Sequence, residues 1–117
     1  MERLEILLQE LDQFNKDRDW DQFHSNVNLA KSISIEANEL LECYQWSDVA
    51  SDEEHVKEEL ADVLNYCMQF CINNGYDLVD IVREKMEKNA LKYPVEKCKG
   101  SMEKYTQLRS HHGKTSD

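Results

Sequence analysis

SDEEHVKEELADVLNYCMQFCIN, residues 51–73, is the stretch from which the rest of the chain is read. Ser51 is followed three positions later by Glu54, the spacing of a capping box at a helix start. Val56, Leu60, Val63, Leu64, Cys67, Phe70 and Cys71 then recur at helical intervals and define an apolar face. Asn73, Asn74 and Gly75 end the run, with Gly75 placed to cap the helix C-terminus. Glu59 falls on the flank of the apolar face, between Tyr66 and Phe70, and Asp62 one step further out. Glu53, Glu58 and Asn65 point to water.

The run LAKSISIEANELLECYQW, residues 29–46, repeats the arrangement. A helix from about residue 28 to 46 aligns Leu29, Ile33, Ala37, Leu40 and Tyr44 on one face. Glu36 lies inside that face and Glu39 at its edge, whereas Glu42 points away. Each helix therefore offers two acids three apart, Glu36 with Glu39 and Glu59 with Asp62. Carboxylates brought together by helix packing repel one another and lose hydration. A hard divalent cation relieves both costs. Magnesium prefers oxygen donors and retains some of its waters, and manganese can substitute. No histidine falls on the inner face of either helix, which argues against zinc and against the His-containing di-iron bundles. The plain alternative is that the acids form salt bridges with Lys57 or Lys85.

Outward from this pair, residues 2–15 carry Leu4, Leu7, Leu8, Leu11 and Phe14 at helical spacing. Residues 16–26, KDRDWDQFHSN, break the period and place Trp20, Phe23 and His24 among charges. A fourth helix is expected over residues 77–91, with Leu78, Ile81, Val82 and Met86 on one side. Lys85 and Asn89 sit in the middle of that side. Pro94 stops it. A lysine-rich run, KCKGSMEKY at 97–105, follows, and the polar segment 109–117 is expected to be disordered. The expectation is an all-α, four-helix bundle-like fold in a single domain over residues 1–108.

The chain has 117 residues and a formal net charge of −10. That sign disfavours nucleic acid and anionic membrane. A phosphate ligand can bind only where a metal or local lysines reverse the potential. Cys67 and Cys71 lie on an apolar stripe and read as core thiols; no zinc-finger spacing accompanies them. No run of 18 apolar residues and no signal-peptide pattern is visible, so a reducing, cytoplasmic setting is expected.

Acid-bound magnesium usually serves phosphate chemistry, bridging phosphate oxygens and bringing a water into line. Lys85 would offset phosphate charge. Trp20, Phe23 or Trp46 can stack on a base, and His24 can donate to a base edge or a phosphate. Residue chemistry alone goes no further.

Taken in order, five blocks make a pattern. They are RDWDQFH at 18–24, Glu36-x-x-Glu39 with Gln45–Trp46, Glu59-x-x-Asp62, KMEKNALKYP at 85–94 and KGSMEKYTQL at 99–108. The chain resembles the all-alpha nucleoside triphosphate pyrophosphohydrolases of the MazG-like superfamily, in particular the short dCTP pyrophosphatase type. The resemblance implies cleavage between the α- and β-phosphates, giving a monophosphate and pyrophosphate. It implies magnesium on Glu36, Glu39, Glu59 and Asp62, and a carboxylate-activated water. It implies substrate contacts from Lys85 and Asn89, a base pocket lined by Trp20, Phe23 and His24, and phosphate-side contacts from Tyr93, Lys99, Ser101, Lys104 and Tyr105. It also implies a homodimer or homotetramer and a nucleotide-pool-cleaning role. The connection over residues 47–56 is short for the animal dCTP enzymes, which leaves base preference open. Competing readings are a non-catalytic helical oligomeric interaction protein, or a hydrolase of dUTP or phosphoribosyl-ATP in the same fold.

Overall fold

The computed structural model describes residues 1–100, and all its regular structure is helical. The order is α1 (Arg3–Asp17), a 3-10 turn (Asp21–Phe23), α2 (Asn26–Glu42), α3 (Glu53–Asn74), α4 (Leu78–Lys92) and the single turn α5 (Val95–Cys98). Four long helices stand where the periodicity places them. The expected tail at 109–117 and the substrate contacts at Ser101, Lys104 and Tyr105 lie outside the described residues. The chain divides into two compact units, residues 1–77 and residues from 78 onward.

In the first unit α2 packs along α3, and α1 packs against α3. Two polar links fix the α2–α3 pair as antiparallel. Asn26, at the start of α2, exchanges amide hydrogen bonds with Asn74, at the end of α3, at 3.0 and 2.7 Å. Asn73 Nδ2 donates to the His24 carbonyl at 3.1 Å. The C-terminus of α3 is thereby tied to the N-terminus of α2, so the acid-bearing middle turns of both helices meet. Leu29 is fully buried between them.

Local chemistry explains the helix ends. Ser25 caps α2, its side chain accepting from the Asn28 N–H at 3.1 Å. Gly75 closes α3 in the left-handed region at φ 67°, where a side chain would be strained. Two boundaries depart from the sequence reading. The α3 cap is Asp52, not Ser51: the Asp52 carboxylate accepts from the N–H groups of Glu54 and His55 at 3.0 and 3.3 Å. Helix α2 ends at Glu42, so Trp46 belongs to the connecting turns rather than to the helix. Pro94 ends α4 as expected but also serves as the N-cap of α5, because its fixed φ suits the residue ahead of a helical turn.

The inner face of α3 is rotated relative to the leucine stripe. Leu60 and Leu64 are 45% and 50% exposed, whereas Met68, Gln69 and Cys71 are buried. Cys71 is a core thiol, its pKa raised chiefly by burial. In the second unit, α4 carries Ile81, Val82 and Met86 half-exposed. Lys85 and Asn89, expected mid-face, are exposed as well.

Asp52→Ala removes the α3 cap and should cost about 1 kcal/mol of stability, read as a lower urea midpoint. Ser51→Ala should leave that midpoint unchanged. Equal losses from both would return the cap to Ser51.

Candidate active site

Position 36 sits on α2 one turn before Glu39, and Glu59 sits on α3 one turn before Asp62. Antiparallel packing brings these turns together. Carboxylate oxygens of Glu36, Glu59 and Asp62 lie within 4.8 Å of one another. Glu39 completes the group, its carboxylate close enough to Glu36 and Glu59 to raise the pKa of both. All four are half-buried, while Glu42 and Glu58 are exposed. The division of inward and outward acids on α2 is as the helical wheel places it. On α3, Asp62 is more inward than its wheel position implied.

This arrangement is electrostatically unfavourable by itself. Glu36 is pushed up to about 7, first by burial and then by Glu39, Asp62 and Glu59. Glu59 is also raised, again chiefly by burial, then by Glu39; His55 acts in the opposite direction. His55 Nε2 lies 3.7 Å from Glu59 Oε1, the single basic side chain paired with the group among the described ion pairs. Glu36 Oε2 and Glu59 Oε2 are sealed from solvent without a hydrogen-bond partner. Buried carboxylate oxygens are normally satisfied. Two unsatisfied ones within an all-oxygen donor set fit a hard divalent cation.

A cavity of about 280 Å³ adjoins Asp62. Its walls include Phe14, Trp20, His24 and Tyr66 as rings, and Asn15, Asn65 and Gln69 as amides. Phe14 and Trp20 meet edge to face at 5.9 Å, and His24 meets Tyr66 the same way at 6.4 Å. Arg18 lies over the Phe14 ring at 3.6 Å, holding the outer wall. The lining mixes aromatic rings with carboxamides, a mixture suited to a planar polar heterocycle.

The sequence-derived candidates distribute as follows. Trp20 and His24 line this cavity. Phe23 lies in the 3-10 turn, 59% exposed, and is not part of the wall. Trp46 lies on a separate recess of about 390 Å³ with Cys43, Ser47, Val49 and His55, and is 89% exposed. Lys85, Asn89, Tyr93 and Lys99 belong to the second unit. There, the Tyr93 N–H donates to the Asn89 carbonyl at 2.8 Å. Sequence reasoning missed Asn15, Asn65, Tyr66 and Gln69. For Asn15 the available signal was a carboxamide on an otherwise apolar stripe, four residues beyond Leu11; Gln69 continues the row of Glu59 and Asp62, seven beyond Asp62.

Comparison with known proteins agrees with this geometry. The MazG-like family model matches residues 31–108, more than half of the chain. The dCTP pyrophosphatase 1 of Bos taurus is 37% identical over 117 aligned residues, covering 90% of this chain and 66% of that protein. The rat protein of the same name is 36% identical, with 82% and 62% covered. This chain thus spans just under two thirds of the curated relatives it matches. A crystal structure of a pyrophosphatase from Archaeoglobus fulgidus superposes with a TM-score of 0.72 at 43% identity, covering 80% of this chain and 94% of that one. The acid-bearing all-helical chain described here belongs to the MazG-like family.

Proposed function

We propose that the protein is a magnesium-dependent nucleoside triphosphate pyrophosphohydrolase, acting on a dCTP-like deoxynucleotide and releasing the monophosphate and pyrophosphate. The observation that carries this reading is the pair of sealed, unpartnered oxygens on Glu36 and Glu59 beside Asp62. The relatives named dCTP pyrophosphatase 1 support the substrate class.

Glu36, Glu59 and Asp62 would hold the ion. Bound there, magnesium would neutralise charge on the phosphate oxygens and lower the pKa of a coordinated water. Glu39 stands outside the three-oxygen group yet against it. In this reading its carboxylate, expected from the sequence as a fourth metal ligand, would instead orient the attacking water and accept its proton. The ring-lined cavity beside Asp62 would take the base, Trp20 forming one side. Lys85 on α4 would supply positive charge to the phosphates. The half-exposed Leu60, Leu64, Ile81, Val82 and Met86 are the apolar side chains a second copy would cover in a homodimer or homotetramer. No helix among the described residues is long and apolar enough to cross a membrane.

The decisive experiment is pyrophosphate release from a panel of nucleoside triphosphates, with magnesium and with chelator. Turnover of a deoxynucleotide that stops on chelation is expected. Lack of turnover on every nucleotide, with no stabilisation by magnesium and a non-hydrolysable analogue, would leave a non-catalytic helical interaction protein. Glu39→Ala and Asp62→Ala should each lower kcat at least a hundredfold while far-UV circular dichroism stays helical. Glu42→Ala should stay within twofold of the parent. Lys85→Ala should raise KM several-fold, and parental kinetics would exclude Lys85 from phosphate binding.

Metal removal has a signed pH consequence. Glu36 has a folded pKa of about 7 against an ordinary value of 4.5. Below 4.5 it is protonated in both folded and unfolded chains and costs nothing. Between 4.5 and 7 only the unfolded chain releases the proton, so stability falls, and above 7 the loss is complete. In chelator, Glu36→Gln should therefore have a higher Tm than the parent at pH 8, and the gain should vanish near pH 4.5. In magnesium at pH 8 the order should reverse.

A further inference from the structure

Three carboxamides run through the first unit in one chain of hydrogen bonds. Asn15 Nδ2 donates to the Leu11 carbonyl at 3.3 Å and to Gln69 Oε1 at 2.5 Å. Gln69 Nε2 donates to Asn73 Oδ1 at 2.6 Å. Asn73 Nδ2 donates to the His24 carbonyl at 3.1 Å. Asn15 and Gln69 are 5% and 1% exposed.

Both ends of this chain are main-chain carbonyls, which only accept. That fixes the direction of every amide between them. The His24 carbonyl requires the Asn73 amino group, so Asn73 turns its oxygen to Gln69. Gln69 then gives its amino group to Asn73 and its oxygen to Asn15. Asn15 must answer with its amino group, whose second hydrogen goes to Leu11. A flip of the buried Asn15 or Gln69 would set oxygen against oxygen and leave a buried polar group unsatisfied. The one acceptor that no member of the chain uses is Asn15 Oδ1. Among the described residues, the sealed, unpartnered side-chain polar atoms are His24 Nδ1, Glu36 Oε2 and Glu59 Oε2. Asn15 lines the cavity beside Asp62, and with its amino group held by Leu11 and Gln69 its Oδ1 is the amide atom left over for a ligand there.

We propose that Asn15 Oδ1, oriented by Gln69 and Asn73, is the base-reading acceptor of this cavity and selects a pyrimidine bearing an exocyclic amine over its keto counterpart. The proposal rests on the pyrophosphohydrolase reading and adds the residue that sets base choice. A locked acceptor receives a hydrogen bond from an amine. It faces a keto oxygen with lone pair against lone pair, and it cannot rotate to offer a donor, because its amino group is held at both hydrogens. Asn15 touches the base; Gln69 and Asn73 are positioning residues. The rings of Phe14 and Trp20, stacked on a base, are indifferent to the amine-to-keto exchange.

The test is kcat/KM for dCTP and dUTP, by pyrophosphate release, on the full chain with magnesium. The parent should prefer dCTP at least tenfold, the scale of one hydrogen bond gained against one acceptor left unpaired. In Asn15→Leu the ratio should collapse to near one. In Gln69→Leu it should fall part-way, because Asn15 remains in place but is free to turn. A general packing defect would lower both substrates together and leave the ratio at the parental value; that result in a folded Asn15→Leu overturns the proposal. Should the variants fail to fold, the parent is assayed with the triphosphate of the 2-pyrimidinone deoxynucleoside, which lacks the amine. A loss of about tenfold against dCTP is expected, and equal rates overturn the proposal. A parent that hydrolyses dUTP as well as dCTP also overturns it while leaving the pyrophosphohydrolase reading intact. A parent inactive on every nucleotide removes both.

Discussion

Two helices are packed here so that like charges meet, and the rest of the first unit is arranged to hold them there. Four half-buried carboxylates with a single histidine near them oppose the close approach of α2 and α3. Apolar burial offsets that repulsion, at roughly 25 cal/mol per Å² removed from water. The fully buried Leu29 and the buried Met68 and Cys71 supply part of it. Polar ties at the far end of the helix pair, Asn26 with Asn74 and Asn73 with the His24 carbonyl, fix the register without adding charge. The site is thus destabilising in its own right and persists because the surroundings over-determine it, a pattern expected of a binding centre rather than of a structural core.

The inward stripe of α3 makes the same point along its length. Glu59, Asp62, Tyr66, Gln69 and Asn73 follow one another at intervals of three and four, all within one arc of the helix. A helix that merely packs would carry leucine or valine at such positions. Its leucines at 60 and 64 lie instead on a flank that is half exposed. The helix has traded its most favourable packing face for a row of functional groups, charged at one end and carboxamide at the other.

That trade explains what the sequence discloses and what it withholds. The four long helices, the C-cap of α3 at Gly75 and the inward turn of Glu36 follow from period and cap chemistry alone. The α3 face was harder to place. Leucines draw a hydrophobic wheel toward themselves, and a helix whose buried stripe is polar defeats that rule. The cap was ambiguous for a simpler reason: Ser51 and Asp52 are both good capping residues in adjacent positions. Asn15 and Gln69 were invisible because one carboxamide on an apolar stripe has no evident partner until the fold places residues 15 and 69 at 2.5 Å. Trp46 was counted with the aromatic pocket from residue type alone, whereas the early end of α2 puts it on a different recess.

Asp62 belongs both to the acid group and to the wall of the cavity. Gln69 lies two turns further along the same helix, about 10 Å by helical rise. A ligand with its phosphates at the acids and its base against the amides would therefore be measured along one rigid element. Neither a loop movement nor a change of side-chain rotamer is needed to set that span. A straight helix would keep it constant while, in the proposed reading, one end bound a cation and the other made hydrogen bonds.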